Sequence, residues 1–177
     1  MAGSTDSNGH TQIAIGRIGF DAHRLIYATI MMMVSLAIYD DEVESFTGTS
    51  FVDLAIVVVM PLLALSFAHG FADALDIQIR TGRRLAASDR RRLLAAAVQY
   101  LSVGIPVLAI GIIYELVGGE AGEASGAGQL LGLASLFLWG AFAARSAGLN
   151  AWAQVRFSLV YGLVGLGIVL VELLILH

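Results

Sequence analysis

Residues 51–84 read FVDLAIVVVMPLLALSFAHGFADALDIQIRTGRR. The first two-thirds of this stretch are apolar and long enough to cross a bilayer, which takes roughly 20 such residues in a helix. The last third differs in kind. His69, Asp73 and Asp76 fall at i, i+4 and i+7, so a helix places them on one face. Ser66 extends that face by a turn, and Arg80, Arg83 and Arg84 follow directly. The reading is one helix that spans a membrane, carries ionisable groups near one end, and passes into a basic segment.

The whole chain fits a membrane solvent. Of its 177 residues 58% are hydrophobic and 14% charged, with mean hydropathy +0.81. Soluble domains carry about a quarter charged residues. So much apolar surface cannot be hidden inside one small globule, and lipid must cover the remainder. There is no cysteine, which excludes disulfides, thiolate metal sites and cysteine nucleophiles. All ten basic residues are arginine.

Five apolar segments stand out, at about 25–39, 51–79, 93–117, 129–147 and 152–176. The first is expected to begin earlier, because Arg17, Asp21 and Arg24 are spaced for one helix face. Residues 1–16 open polar and acidic and read as a disordered cytoplasmic tail, not a signal peptide. No connection is long enough for a soluble domain; the longest is read as the loop 80–92. The expected fold is therefore all-α: a polytopic integral membrane protein, one domain over residues 1–177, built as a bundle of five transmembrane helices. The fourth segment is short and glycine-rich, and a tilted or re-entrant course is the alternative for it.

The connections alternate in charge. Asp40, Asp41, Glu42 and Glu44 separate the first two segments, and Glu120 and Glu123 separate the third and fourth. Arg80, Arg83, Arg84, Arg90, Arg91 and Arg92 separate the second and third, and Arg145 and Arg156 bracket the last link. Arg17 and Arg24 precede the first. Under five spans every arginine falls on one side. The positive-inside rule makes that side cytoplasmic, in a multi-pass protein of the cell inner (plasma) membrane. The N-terminus is then inside and His177 outside. The arginines lie where topology puts them, so a nucleic-acid partner is not indicated.

Small residues suggest helix contacts. Gly128, Gly132, Gly140, Ala144 and Gly148 recur at multiples of four, with Leu136 in the gap. Ser158, Gly162 and Gly165 form a second set, Gly104 and Gly111 a third. Such ridges let helices approach closely, either within one chain or between copies in a homo-oligomer. Pro61 and Pro106 lie inside spans and are expected to kink them.

Ionisable groups inside membrane helices usually face a bundle interior or water. A carboxylate one turn from an imidazole orients it and suits proton transfer, so His69 and Asp73 are expected to form a hydrogen-bonded pair. His and Asp also ligate divalent cations, but one helix supplies only part of a shell and no metal motif is present. The structural alternative pairs Asp76 with Arg80 on its own helix and Asp73 with Arg145 or Arg156. His23 and Tyr27 lie one turn apart at the same depth as Gln99, Tyr100 and Arg145, which suggests a shared polar vestibule. Interfacial anchoring accounts for tyrosine and arginine there equally well. His23 and His69 satisfy the minimum for two axial haem ligands, though no cofactor is required by the sequence. Asp53, Glu115 and Glu172 are read as solvated helix ends on the acidic side. No phosphate loop, catalytic triad or channel filter sequence appears, so the chain is not expected to be an enzyme.

The functional expectation is a small membrane transport protein, a homo-oligomeric channel or carrier for protons or cations. Its polar inner vestibule comprises His69, Asp73, Asp76, Ser66, His23, Tyr27 and Arg145. A non-catalytic structural or regulatory subunit among partner membrane subunits is the first alternative. A haem or quinone redox subunit is the second.

Overall fold

The computed structural model describes the backbone of residues 12–15, 18–45 and 50–176, and the side chains of 21–39 and 50–174. Residues 1–11, Arg17, the side chains of Asp40, Asp41, Glu42 and Glu44, and His177 lie outside the described residues, together with the tail, loop and C-terminal expectations attached to them. Five helices are long and apolar enough to cross a membrane.

Two short strands come first. β1 (Gln12–Ile15) pairs antiparallel with β2 (Ile18–Asp21), with Gln12 opposite Asp21 and Ile15 opposite Ile18. The expected tail thus contributes a strand over 12–15, and the helix expected to reach back to Arg17 is a strand over 18–21. Ile13, Ile15 and Ile18 are β-branched and Gly19 is a weak helix former, so local preference favours extended chain here. α1 (Ala22–Ser45) starts only where Asp21 Oδ1 can accept the N–H of His23 at 3.1 Å, a helix cap.

α2 (Phe51–Thr81) begins where Asp53 Oδ2 accepts from the Ser50 backbone at 2.9 Å and from Ser50 Oγ at 3.0 Å. It runs unbroken through Pro61. Its 31 residues make about 46 Å of helix, well beyond a hydrocarbon core of about 30 Å. It stops at Gly82, whose φ of 62° is the left-handed conformation that ends helices. The expected loop over 80–92 shrinks to residues 82–86. Asp89 secures that link, accepting from the Ala86 N–H at 2.9 Å and from Arg83 at 2.7 Å. The hydrogen bond to Asp89 raises the Arg83 pKa above its ordinary value.

The third span divides into α3 (Ala87–Ser102) and α4 (Gly104–Leu116). Pro106 is the reason. It is the third residue of α4, where its missing N–H is not needed and its ring excludes the carbonyl of Ser102. Val103 between them keeps right-handed helical angles, so the break is a kink and not a turn. α5 (Ala121–Ser146) is longer than expected: the Gly/Ala-rich link supplies its first two turns. At 26 residues, about 39 Å, it is one unbroken helix, long and apolar enough to cross a membrane. α6 (Ala151–Leu176) follows, capped by Asn150, whose Oδ1 accepts from Ala153 at 2.9 Å.

α1 and α5 form the middle of the bundle. Half of the apolar window of α1 is buried and 33% of that of α5, against 17–22% for the other three. The glycine ridge of α5 makes this possible. A Cβ on Gly128 would meet Val107 at 2.8 Å, one on Gly132 would meet Met33 at 2.6 Å, and one on Gly140 would meet the Phe157 carbonyl at 2.8 Å. Gly162 lies against the Phe137 ring, and Gly104 and Gly111 against side chains of α2. These glycines pack within the chain, in line with the intramolecular of the two expectations, while Gly148 at the end of the ridge has nothing within 4 Å. α2 presents Leu54, Val58 and Leu62 to the core. Its other faces carry Phe67, Phe71 and Ile79, each more than 70% exposed, as a lipid-facing surface requires.

Candidate functional site

The polar groups converge where α1 begins, in the second half of α2 and in the last turn of α3. Arg24 is at the centre. Its Nε lies 3.3 Å from Asp21 Oδ2 and its Nη2 donates to Asp73 Oδ2 at 2.9 Å. The guanidinium carbon stands 5.8 Å from the Tyr100 ring centroid, within cation–π range. Nη1 is buried with no hydrogen-bond partner among the described residues. The Asp21 N–H donates to Gln99 Oε1 at 3.3 Å, which fastens the start of α1 to α3. One cation therefore joins two carboxylates from two elements and rests on an aromatic face from a third.

His69 lies beside this centre. Its ring is 5.2 Å from Tyr100 and 6.4 Å from Tyr27, and Tyr27 in turn is 4.6 Å from His23. The expected His69–Asp73 hydrogen bond is not made. His69 Nδ1 instead donates to the Leu65 carbonyl at 3.0 Å, one turn back on its own helix. A carbonyl can only accept, so Nδ1 carries the hydrogen and Nε2 is the nitrogen left to accept a proton. The backbone fixes the tautomer, the task the sequence assigned to Asp73.

The other expected residues divide. Asp76 pairs with Arg80 on α2 and is about half exposed, as its i,i+4 spacing indicates. Ser66 is 6% exposed and continues the buried row of Leu54, Val58 and Leu62. Arg145 is exposed at the end of α5, and among the described residues no hydrogen bond or ion pair ties it to the cluster. Asp73 does find an arginine, but from α1 and not from α5 or α6: Arg24 replaces Arg145 and Arg156 as partner. Among the described residues no three of His, Asp and Glu gather as a set able to hold a metal ion.

Sequence reasoning missed Arg24 and Asp21 as members of the site. Their i,i+3 spacing was the available signal. It missed a second polar contact as well. Glu172, expected in water at a helix end, accepts from Gln129 Nε2 at 2.6 Å in the α5–α6 seam. Asp53 and Glu115 are exposed, as expected.

Compared with protein families, curated proteins and solved structures, the chain finds no match.

Proposed function

We propose that this multi-pass protein lies in the cell inner membrane with its arginine end in the cytoplasm, and that it carries protons or small cations. The Arg24–Asp73–His69 cluster is its cytoplasm-side station. One observation carries the reading: the guanidinium of Arg24 is shared by Asp21 and Asp73, which leaves one formal negative charge over, beside an imidazole with Nε2 able to accept. A proton or cation arriving there balances the charge. Proton binding at Asp73 also removes the attraction that holds the end of α2 to the start of α1. Charge and helix contact are thereby linked, which a carrier needs.

The test is flux from purified protein in liposomes under a pH gradient. Asp73→Asn keeps the shape and removes the charge, and is expected to abolish most of the pH-driven flux while the protein stays folded. Flux equal to wild type, in a variant that melts several degrees lower, would reduce the pair to a structural tie and favour the subunit reading. Orientation has its own test. A cysteine at Ser88, in the exposed first turn of α3, is clean because the chain has none. It should resist an impermeant thiol reagent added outside intact cells and react once the membrane is opened.

A further inference from the structure

Glu172 differs from the other described acids near its end of the bundle. Asp53, Glu115, Glu120 and Glu123 are exposed. Glu172 is drawn into the seam between α5 and α6, where Gln129 Nε2 donates to its Oε1 at 2.6 Å and its Oε2 is buried. Gln129 is 5% exposed and stands eight residues inside α5, counting from Ala121, or about 12 Å along the helix. Ser125, one turn from Gln129 on the same face of α5, is 0% exposed, and its hydroxyl has no hydrogen-bond partner among the described residues.

The chemistry of the partner matters more than its distance. An arginine partner favours only the carboxylate. A primary amide suits both forms: its N–H donates to a carboxylate, and after rotation its C=O accepts from a carboxylic acid. A serine hydroxyl has the same two-way capacity. The Asp73 end has a guanidinium and the Glu172 end has an amide. We infer that Glu172 is a proton-exchanging carboxyl site, with Gln129 as a partner able to serve it in both protonation states. Among the described residues, the titratable groups at this end of the elements around it are Tyr39, buried on α1, and Glu120 and Glu123, exposed at the start of α5. The side chains at 40–45 and 175–177, His177 among them, lie outside the described residues.

Dicyclohexylcarbodiimide, an apolar reagent that partitions into bilayers, tests this directly. The acid proton passes to a carbodiimide nitrogen and the carboxylate oxygen adds to the central carbon. The O-acylisourea then rearranges to a stable N-acylurea, with no atom lost and nothing oxidised. Full-length protein in lipid vesicles is treated across a pH series, digested and read by peptide mass. The expected result is an adduct on Glu172 that forms more slowly as pH rises, is absent in Glu172→Gln, and has a shifted pH midpoint in Gln129→Leu. Melting curves of both variants establish that they are folded. No adduct on Glu172 at any pH would overturn the inference. So would equal labelling by a water-soluble carbodiimide with a midpoint indifferent to Gln129→Leu, because an ordinary solvated acid behaves that way. The readout is covalent labelling and not flux, so the transport reading can fail while this one stands.

Discussion

The two sides of the bundle are closed by different means. On the α5–α6 side, backbones approach until Gly140 meets the Phe157 carbonyl and Gly162 meets the Phe137 ring, so dispersion contacts along the seam add to the Gln129–Glu172 and Ser158–Phe137 hydrogen bonds. On the α1–α2–α3 side, an ion-pair link, Arg24 to Asp73 and Asp21, ties the helices together. Lipid offers no hydrophobic drive between helices, so a seam needs either close packing or polar links. The packed side has no cheap alternative arrangement. The tied side can be released by neutralising one carboxylate. That difference is why the proposal places proton or cation binding on α1 and α2, with α5 and α6 as the frame.

The largest expected effect is on the frame. Gly140→Leu forces a side chain against the backbone of Phe157 and Ser158, which cannot move aside as a side-chain tip could. Overpacking costs about 1–3 kcal/mol, and a backbone obstacle belongs at or above the top of that range. A melting temperature lower by many degrees, with subunit number in detergent unchanged, is the expected outcome. Unchanged stability with loss of an oligomer would move the ridge to an interface between copies and break the comparison.

The tied side should respond less. Arg24→Gln leaves Asp21 and Asp73 facing each other without their shared cation. Both carboxylates keep some access to water, with side chains 14% and 40% exposed, so the full penalty for breaking a buried pair does not apply. A loss of about 1–2 kcal/mol in chemical denaturation is expected, intermediate between surface and buried pairs. If Arg24→Gln proves as damaging as Gly140→Leu, the ion pair is part of the frame and release of α2 is not a working step.

Much of this was legible before any coordinates, for identifiable reasons. The bilayer forces every span to declare itself as an apolar run, so all five segments appear where expected, the second and fifth within two residues of both bounds. Local pairs were legible too, because Asp76 and Arg80 need only one helix to meet. Local chemistry misled at the start of α5. The sequence VGGEAGEASGAG looks like a flexible link, yet packing against α1 and α4 makes it helix. What could not be read was which helix neighbours which. The sequence offered Arg145 or Arg156 to Asp73, and Arg24 emerged as its partner only where α1 packs against α2. Glu172 was hidden in the same way, since its partner Gln129 lies 43 residues away in sequence.

The smallest effect sharpens the comparison most, because it sets two aspartates one turn apart on α2 against each other. Asp73 reaches across to α1, while Asp76 pairs only with Arg80 on its own helix. The side chains of that second pair are 51% and 56% exposed, in the last two turns of α2. Exposed i,i+4 pairs stabilise by about 0.3–0.5 kcal/mol, and salt screens them further. The expected change in stability is therefore within about 0.5 kcal/mol of zero, and smaller still in high salt. Measured beside Arg24→Gln under the same denaturant, Asp76→Asn should be nearly silent. A loss as large as that of Arg24→Gln would mean that Asp76 also acts between helices, and α2 would then be tied down at two successive turns instead of one.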